Sequence, residues 1–418
     1  MENKRNNRQV TRGGVDTSYA WTRLVLALLL STIGGVGMWS VIVALPAVQA
    51  EFGVARGDAS LAYTLTMLGF GAGGIVLGRM TDRRGIVPPV MVGIVCLIFG
   101  YAAAASASTL WQYALAHGLL IGFGSSATFS PLLADTSHWF ERRRGIAVSI
   151  IASGNYLAGT LWPPIVQHFI ESNGWRPTFL GIAIFCAATM FPLVLALRKP
   201  VPSTDEPVTP ATSDHANRSR PLGLSPQSLQ TLLIVAGVCC CVAMSMPQVH
   251  LVAYCGDLGY GAARGAQMLS LLLGCGIVSR LVFGMVSDRI GGLRTLLIGS
   301  TMQCFALFLF LPFDGLASLY VISALFGLFQ GGIVPSYAMI IREYFSPKEA
   351  GTRIGIVLTA TMVGMALGGW MSGIIFDVTG SYRVAFLNGI AWNLVNMAIA
   401  LTLLVRSRRS PVRASVGA

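Results

Sequence analysis

Gly78-Arg79-Met80-Thr81-Asp82-Arg83-Arg84-Gly85 returns 206 positions later as Gly284-Met285-Val286-Ser287-Asp288-Arg289-Ile290-Gly291, with Gly, Asp, Arg and Gly at the same spacing. Two further landmarks keep almost that offset. Phe140 answers to Phe345, 205 positions on; the run Gly174-Trp175-Arg176 with Phe179 answers to Gly380-Ser381-Tyr382-Arg383 with Phe386, Arg and Phe both 207 on. Three matches in one order at one spacing mark a duplicated unit. The chain reads as two related halves, and the fold of one is repeated in the other.

The material between the landmarks says what that fold is. Of 418 residues 54% are hydrophobic and 11% charged, against about 25% charged in a soluble domain. The charges are missing in blocks: 24–50, 59–78, 85–134, 145–170, 177–197, 221–256 and 354–376 hold no Asp, Glu, Lys or Arg. A membrane-spanning helix takes about 20 apolar residues. Backbone polar groups in hydrocarbon must be paired within their own segment or in a closed barrel, and these runs lack the alternation of barrel strands. They predict an all-α membrane protein of twelve transmembrane helices in two pseudo-symmetric six-helix bundles. The spans fall near 21–48, 59–80, 86–106, 110–133, 145–170, 178–197, 229–254, 265–286, 293–312, 317–341, 354–376 and 384–405. The implied divisions are a tail over 1–20, a bundle over 21–197, a Pro-, Ser- and Thr-containing linker over 198–228, a second bundle over 229–406 and a tail over 407–418.

The net charge of +12 follows this topology. Alternating the loops between two sides places 24 of the 29 Lys and Arg on the side of the N-terminus, four on the other (Arg56, Arg176, Arg264, Arg383) and one, Arg280, inside a helix. This is the positive-inside bias. It predicts both termini in the cytoplasm and a multi-pass protein of a bacterial-type inner membrane, with lipids and not nucleic acid as partners of the basic surface. The first 20 residues lack the apolar core of a cleavable signal. The eight Cys show no metal-type spacing with His, so neither a zinc site nor a disulfide framework is expected. Without a Walker loop, dinucleotide fingerprint or nucleophile elbow, the sequence predicts no cofactor, no ATP-driven step and no enzyme. A monomer is expected.

The paired loop motif resembles that of the major facilitator superfamily, whose pattern is met at Gly78, Asp82, Arg83 and Gly85 and again at Gly284, Asp288, Arg289 and Gly291. The resemblance covers residues 20–407 and implies a secondary transporter working by alternating access, these eight residues being its gating elements. In physical terms, a Gly at a helix end lets a neighbouring helix come close, and the Asp can pair with a cation or a helix N-terminus across the seam. The plainer reading is a charged loop that only fixes topology.

Arg280 is the most informative single residue. It lies within the eighth span, some 6–8 Å from the middle at about 1.5 Å per residue, where an unpaired guanidinium is costly. The corresponding position of the first half, Gly74, carries no charge, and no Asp or Glu lies deep in a span. An anionic substrate would complete it, because Arg holds a carboxylate by two parallel bonds. The alternative is a structural Arg bonded to backbone carbonyls or reaching toward Asp288. The run Gly276-Ile277-Val278-Ser279-Arg280-Leu281-Val282-Phe283-Gly284, and Trp139, Phe140, Arg142, Arg143, Gly145 and Ala147 after the fourth span, resemble the monocarboxylate-porter branch. There such an Arg binds the substrate carboxylate. One buried cation suits a small organic monoanion. Trp39, Asn155, Tyr156, Gln330 and Tyr337 are the further candidates for the substrate cavity, each also able to serve in ordinary packing, and Tyr63 and Tyr113 belong to the same group. His117 and His250, placed shallowly in their spans, are the candidates for a coupled proton. Asp135 is expected to pair with Arg142–Arg144. An efflux pump for amphiphilic compounds and a non-transporting membrane sensor on the same fold are the competing functions.

Overall fold

The computed structural model describes residues 15–140, 143–199 and 221–409. Pro200–Arg220, the centre of the expected linker, and the outer parts of both expected tails lie outside these residues. The described chain is helical throughout its spans: α1 (Ser18–Phe52), α2 (Arg56–Arg84), α3 (Val87–Ser106), α4 (110–138), α5 (144–173), α6 (Trp175–Ala196), α7 (Pro226–Asp257), α8 (Ala262–Ile290), α9 (Gly292–Leu309), α10 (Leu316–Tyr344), α11 (Pro347–Thr379) and α12 (Tyr382–Arg409). Helix ends fall within a few residues of those predicted, except where basic and acidic ends extend a helix beyond its apolar core. α11 begins seven residues early, at Pro347.

Among the described residues ten of these are by themselves long and apolar enough to cross a membrane. The remaining two, α4 and α5, are assembled from shorter pieces. α4 contains a π-helical stretch, Ala116–Gly122, followed by a break before Ser130, and α5 breaks at Ser153. α10 breaks at Gly331–Gly332, close to 205 residues after the break in α4, so the irregularity is duplicated with the helices. Glycine explains why the backbones sit so close. A Cβ on Gly73 would lie 2.7 Å from the Phe123 carbonyl of α4, and one on Gly364 would lie 2.6 Å from the Val238 carbonyl of α7. Small residues of this kind let membrane helices pack backbone to backbone.

The two halves meet along two seams, α2 against α11 and α5 against α8. Within each half, buried polar residues tie helices together. In the first half Arg23 of α1 donates from Nε and Nη2 to the two oxygens of Asp135 in α4 at 2.9 and 3.0 Å, and from Nη1 to the Leu197 carbonyl at 2.9 Å. Both side chains are only 3% exposed, and Trp139 lies under the guanidinium. Asp135 is held by Arg23; Arg142 and the side chain of Arg144, from the cluster expected to pair with it, lie outside the described residues. In the second half the corresponding job falls to amides. Asn393 donates to the Ser300 carbonyl and Asn396 to the Ser300 hydroxyl, both at 2.7 Å, while Tyr337 donates to Asn396 at 2.9 Å.

Candidate functional site

Arg280 projects from α8 into the α5–α8 seam. Its Nη1 donates to the Ala152 carbonyl of α5 at 2.7 Å and its guanidinium lies 4.3 Å from the centre of the Tyr156 ring. Ala152 closes the first piece of α5, and the break after it frees a carbonyl to accept from outside the helix. Tyr156 stands against Gly276, one turn along α8, where any side chain would collide with the ring. Trp39 of α1 closes the other side. Its indole donates to the Asn155 carbonyl at 3.2 Å, and a Cβ on Gly159 would lie 2.7 Å from its ring. Four expected site residues, Trp39, Asn155, Tyr156 and Arg280, thus gather on one seam.

The bonding of Arg280 is incomplete. Nε is buried without a partner, Nη2 makes no bond among the described residues, and none of the ion pairs found there includes this side chain. The free edge of the fork, Nε and Nη2, is the edge that takes a carboxylate with two parallel bonds. Asp288, the alternative partner weighed from sequence, is exposed and does not reach it.

Other candidates lie elsewhere. Gln330 is wholly buried within the second half and accepts from Gln248 at 2.9 Å, and Tyr337 is held by Asn396. A polar residue on a span has two apolar-looking neighbours to choose between, and these face α7 and α12, not the seam. Tyr63 packs beneath Gly369 at the α2–α11 crossing, and Tyr113 stacks with the Phe179 ring and meets Trp175 edge-on inside the first half. His117 and His250 are shielded from solvent by their neighbours. Both are fully buried. His117 lies in the π-helical stretch of α4 beside Tyr113, with neither ring nitrogen bonded. A groove of about 520 Å³ follows the same seam toward Thr160, Pro164, Ser270 and Gly274, but exposed Leu271 and Val278 open it sideways.

A second cluster went unrecognised in the sequence. It closes the face opposite the chain ends. Asp377, near the end of α11, accepts from the first two backbone N–H groups of α2, Arg56 at 2.9 Å and Gly57 at 2.6 Å, where a carboxylate meets both orphan donors and the positive end of the helix. The Arg56 side chain forks onto Asp257 at the end of α7, donates from Nη1 to the Tyr382 hydroxyl of α12 at 2.9 Å and from Nε to Gln49 at 3.1 Å. The Phe376 ring lies 4.2 Å below the guanidinium. The approach is close enough that a Cβ on Gly373 would lie 2.8 Å from Gly57 Cα. Thr64 adds a bond to the Ala366 carbonyl at 3.1 Å. Every one of these contacts joins the first half to the second, apart from that to Gln49. From sequence, Arg56 was one of four cations on a side poor in charge; its partners stand 201 and 321 residues away.

The face that carries the chain ends is different. Asp82, Arg83, Asp288 and Arg289 are exposed and enter no ion pair among the described residues. A Cβ on Gly78 or Gly284 would meet nothing within 4 Å, so the expected close approach is missing here. Gly85 and Gly291 have a local explanation. They end α2 and α8 at φ of 76° and 84°, a region that a side chain resists.

Residues 27–316 and 268–417 match the Major Facilitator Superfamily. The chain belongs to it. This superfamily member resembles the monocarboxylate transporters: it is 28% identical over 328 residues to monocarboxylate transporter 13 of Rattus norvegicus, covering 78% of this chain and 74% of that protein. It is 26% identical over 390 residues to monocarboxylate transporter 11 of Homo sapiens, covering 90% and 81%. Among solved structures, a bacterial homolog of the human lysosomal transporter Spinster, in an inward-facing and unoccupied conformation, superposes with a TM-score of 0.71 at 12% identity, covering 94% of this chain and 98% of that one. The nucleoside transporter NupG gives 0.69 at 15% identity, covering 93% and 99%. At such identities these two speak for the fold. The protein is a multi-pass membrane transporter.

Proposed function

We propose that this transporter carries a small organic monoanion by alternating access, with a coupled proton, and that Arg280 is the carboxylate ligand. The observation that carries the reading is the guanidinium fork left open at the seam between halves, in a chain whose relatives are named monocarboxylate transporters. Tyr156 fixes the guanidinium plane, and Trp39 and Asn155 form the wall against which the rest of a small acid would rest. Gln330 and Tyr337 serve as second-half packing. The chain ends lie in the cytoplasm, in keeping with the distribution of Lys and Arg. The state seen is then closed toward the outside by the Arg56, Asp257 and Asp377 cluster and disengaged at the cytoplasmic loops, the loop motifs of α2 and α8 being latches of the opposite state.

The test is uptake of radiolabelled lactate, pyruvate and a larger aromatic monocarboxylate into proteoliposomes, with a dicarboxylate and an amphiphilic cation as contrasts. Arg280→Ala is expected to reduce monocarboxylate uptake by about 10²-fold, the scale of losing one partner of a desolvated charge pair. Arg280→Lys keeps the charge but not the fork and falls between. Undiminished uptake in Arg280→Ala removes the ligand assignment. Transport of the amphiphilic cation alone would favour efflux of amphiphiles through the sideways groove.

A further inference from the structure

His250 is the one histidine built into the cluster that closes the outer face. It comes from α7, is fully buried, and uses both ring nitrogens: Nε2 lies 2.8 Å from the Gly369 carbonyl of α11 and Nδ1 lies 3.1 Å from the Tyr382 hydroxyl of α12. The bonding decides the protonation state. A carbonyl can only accept, so Nε2 carries a hydrogen. Tyr382 already accepts from Arg56 Nη1, and its own hydrogen has one acceptor within reach, Nδ1. The chain of donors therefore runs from Arg56 to Tyr382, from Tyr382 to His250 and from His250 to Gly369, and it is complete only for a neutral imidazole.

We propose that His250 is a pH-sensitive latch of this transporter and that the outer face closes only over its neutral form. This rests on the alternating-access reading above and adds to it a pH dependence of outer closure, with a proton distinct from the one carried with substrate. A protonated His250 would donate to Tyr382 from Nδ1. The tyrosine hydrogen would then be stranded in a buried site, at the cost of an unmade bond, and an imidazolium would share one hydroxyl with the guanidinium of Arg56. The charged and titratable groups around the ring are Arg56 of α2, Tyr254 and Asp257 of α7, Asp377 of α11 and Tyr382 of α12. Asp257 is committed to Arg56 and Asp377 to the N-terminus of α2, so neither carboxylate is free to receive the imidazolium while the cluster is intact. When α2 withdraws, Arg56 leaves, both carboxylates are released and a proton on His250 gains partners. Proton binding and opening of the outer face are thus linked: acid outside favours the open form, and closure returns the proton of His250 to the outer solution.

Spin labels on Ser108→Cys and Asp314→Cys, exposed positions in outer loops of the two halves, report this opening as a distance. The partly exposed Cys96 and Cys275 are replaced by Ser. In the full-length protein in nanodiscs without substrate, lowering the pH from about 8 to about 5, the range in which histidine titrates, is expected to move the population from the short to the long distance. The ratio should change by up to about tenfold per pH unit, the limit for one linked proton. His250→Gln can donate to Gly369 and accept from Tyr382 like the neutral imidazole, and should hold the short distance at both ends of the range. Tyr382→Phe has no hydrogen to strand and should respond less steeply than the parent. A parent distance that ignores pH, or His250→Gln and Tyr382→Phe variants that respond as the parent does, overturns the assignment. Because no substrate is present, failure of the Arg280 uptake test leaves this result untouched, and the reverse holds too.

Discussion

The two ends of α2 meet similar residue types and do opposite things. At the outer end two glycines, an arginine and two aspartates lock the halves together: Gly373 against Gly57, Arg56 on Asp257, and Asp377 on the start of α2. At the other end Gly78, Asp82, Arg83 and their repeats Gly284, Asp288 and Arg289 face open space or solvent. The difference teaches that a charged motif at a helix end is not an interaction until the opposing half is beside it. On the alternating-access reading proposed above, two half-molecules that pivot about the seam at Arg280 close only one end at a time, so one set of latches is idle in any state.

The comparison can be broken most sharply at Arg56. It is 8% exposed and meets four other helices. Arg56→Ala leaves the partly exposed Asp257 to water but removes the guanidinium donors to the Tyr382 hydroxyl and to Gln49, so closure of the outer face should lose on the order of 3 kcal/mol, the upper range for hydrogen bonds made by a charged group. The checking measurement is the same pair of outer spin labels, which should move to the long distance at neutral pH. Arg23→Ala deletes a pair buried more deeply, with both side chains 3% exposed, yet Arg23 and Asp135 both belong to the first half. It should lower thermal stability by a comparable amount without altering the ratio of short to long outer distances; a shift in that ratio would mean that stability and gating are not separable as described.

Gly373→Leu comes next. Wedging a side chain between α11 and Gly57 should cost closure about 1–3 kcal/mol, the range for overpacking a tight contact. Gly284→Leu, in open space here, should not disturb this state at all and should instead hinder closure of the cytoplasmic end. Labelling of single cysteines from each side of the membrane distinguishes the two: Gly373→Leu raises outer accessibility and Gly284→Leu raises inner accessibility. Asp257→Asn has the smallest expected effect, below about 1 kcal/mol, because the Asp257 side chain is 36% exposed and water screens the pair. Raising the salt concentration should mimic it weakly.

Much of this was legible in the sequence. Charge-free runs gave the spans, and the repeated Gly, Asp, Arg, Gly motif gave the duplication, since both are local patterns. Arg280 stood out because a cation within an apolar run has no cheap explanation. Tyr156 and Trp39 could be suspected but not ranked against Gln330 and Tyr337, since spacing along one helix does not say which neighbour a face will meet. The outer cluster was hidden for the same reason: Arg56, Asp257 and Asp377 each look like an ordinary helix-end charge, and only the crossing of α2 and α11 brings them together. His250 was placed correctly near the outer end of its span, yet its burial comes from Gly369 and Tyr382, which depth along α7 cannot reveal.

The central claim is that the two ends are alternatives. Two label pairs on one protein population test it most directly: Ser108→Cys with Asp314→Cys across the outer face, and Arg84→Cys with Arg342→Cys across the other. The account predicts that acid, or the Arg56→Ala substitution, lengthens the first distance and shortens the second together, with Asp82 and Asp288 becoming protected. Lengthening of the outer distance while the inner one stays fixed, or movement of both in the same direction, would contradict it.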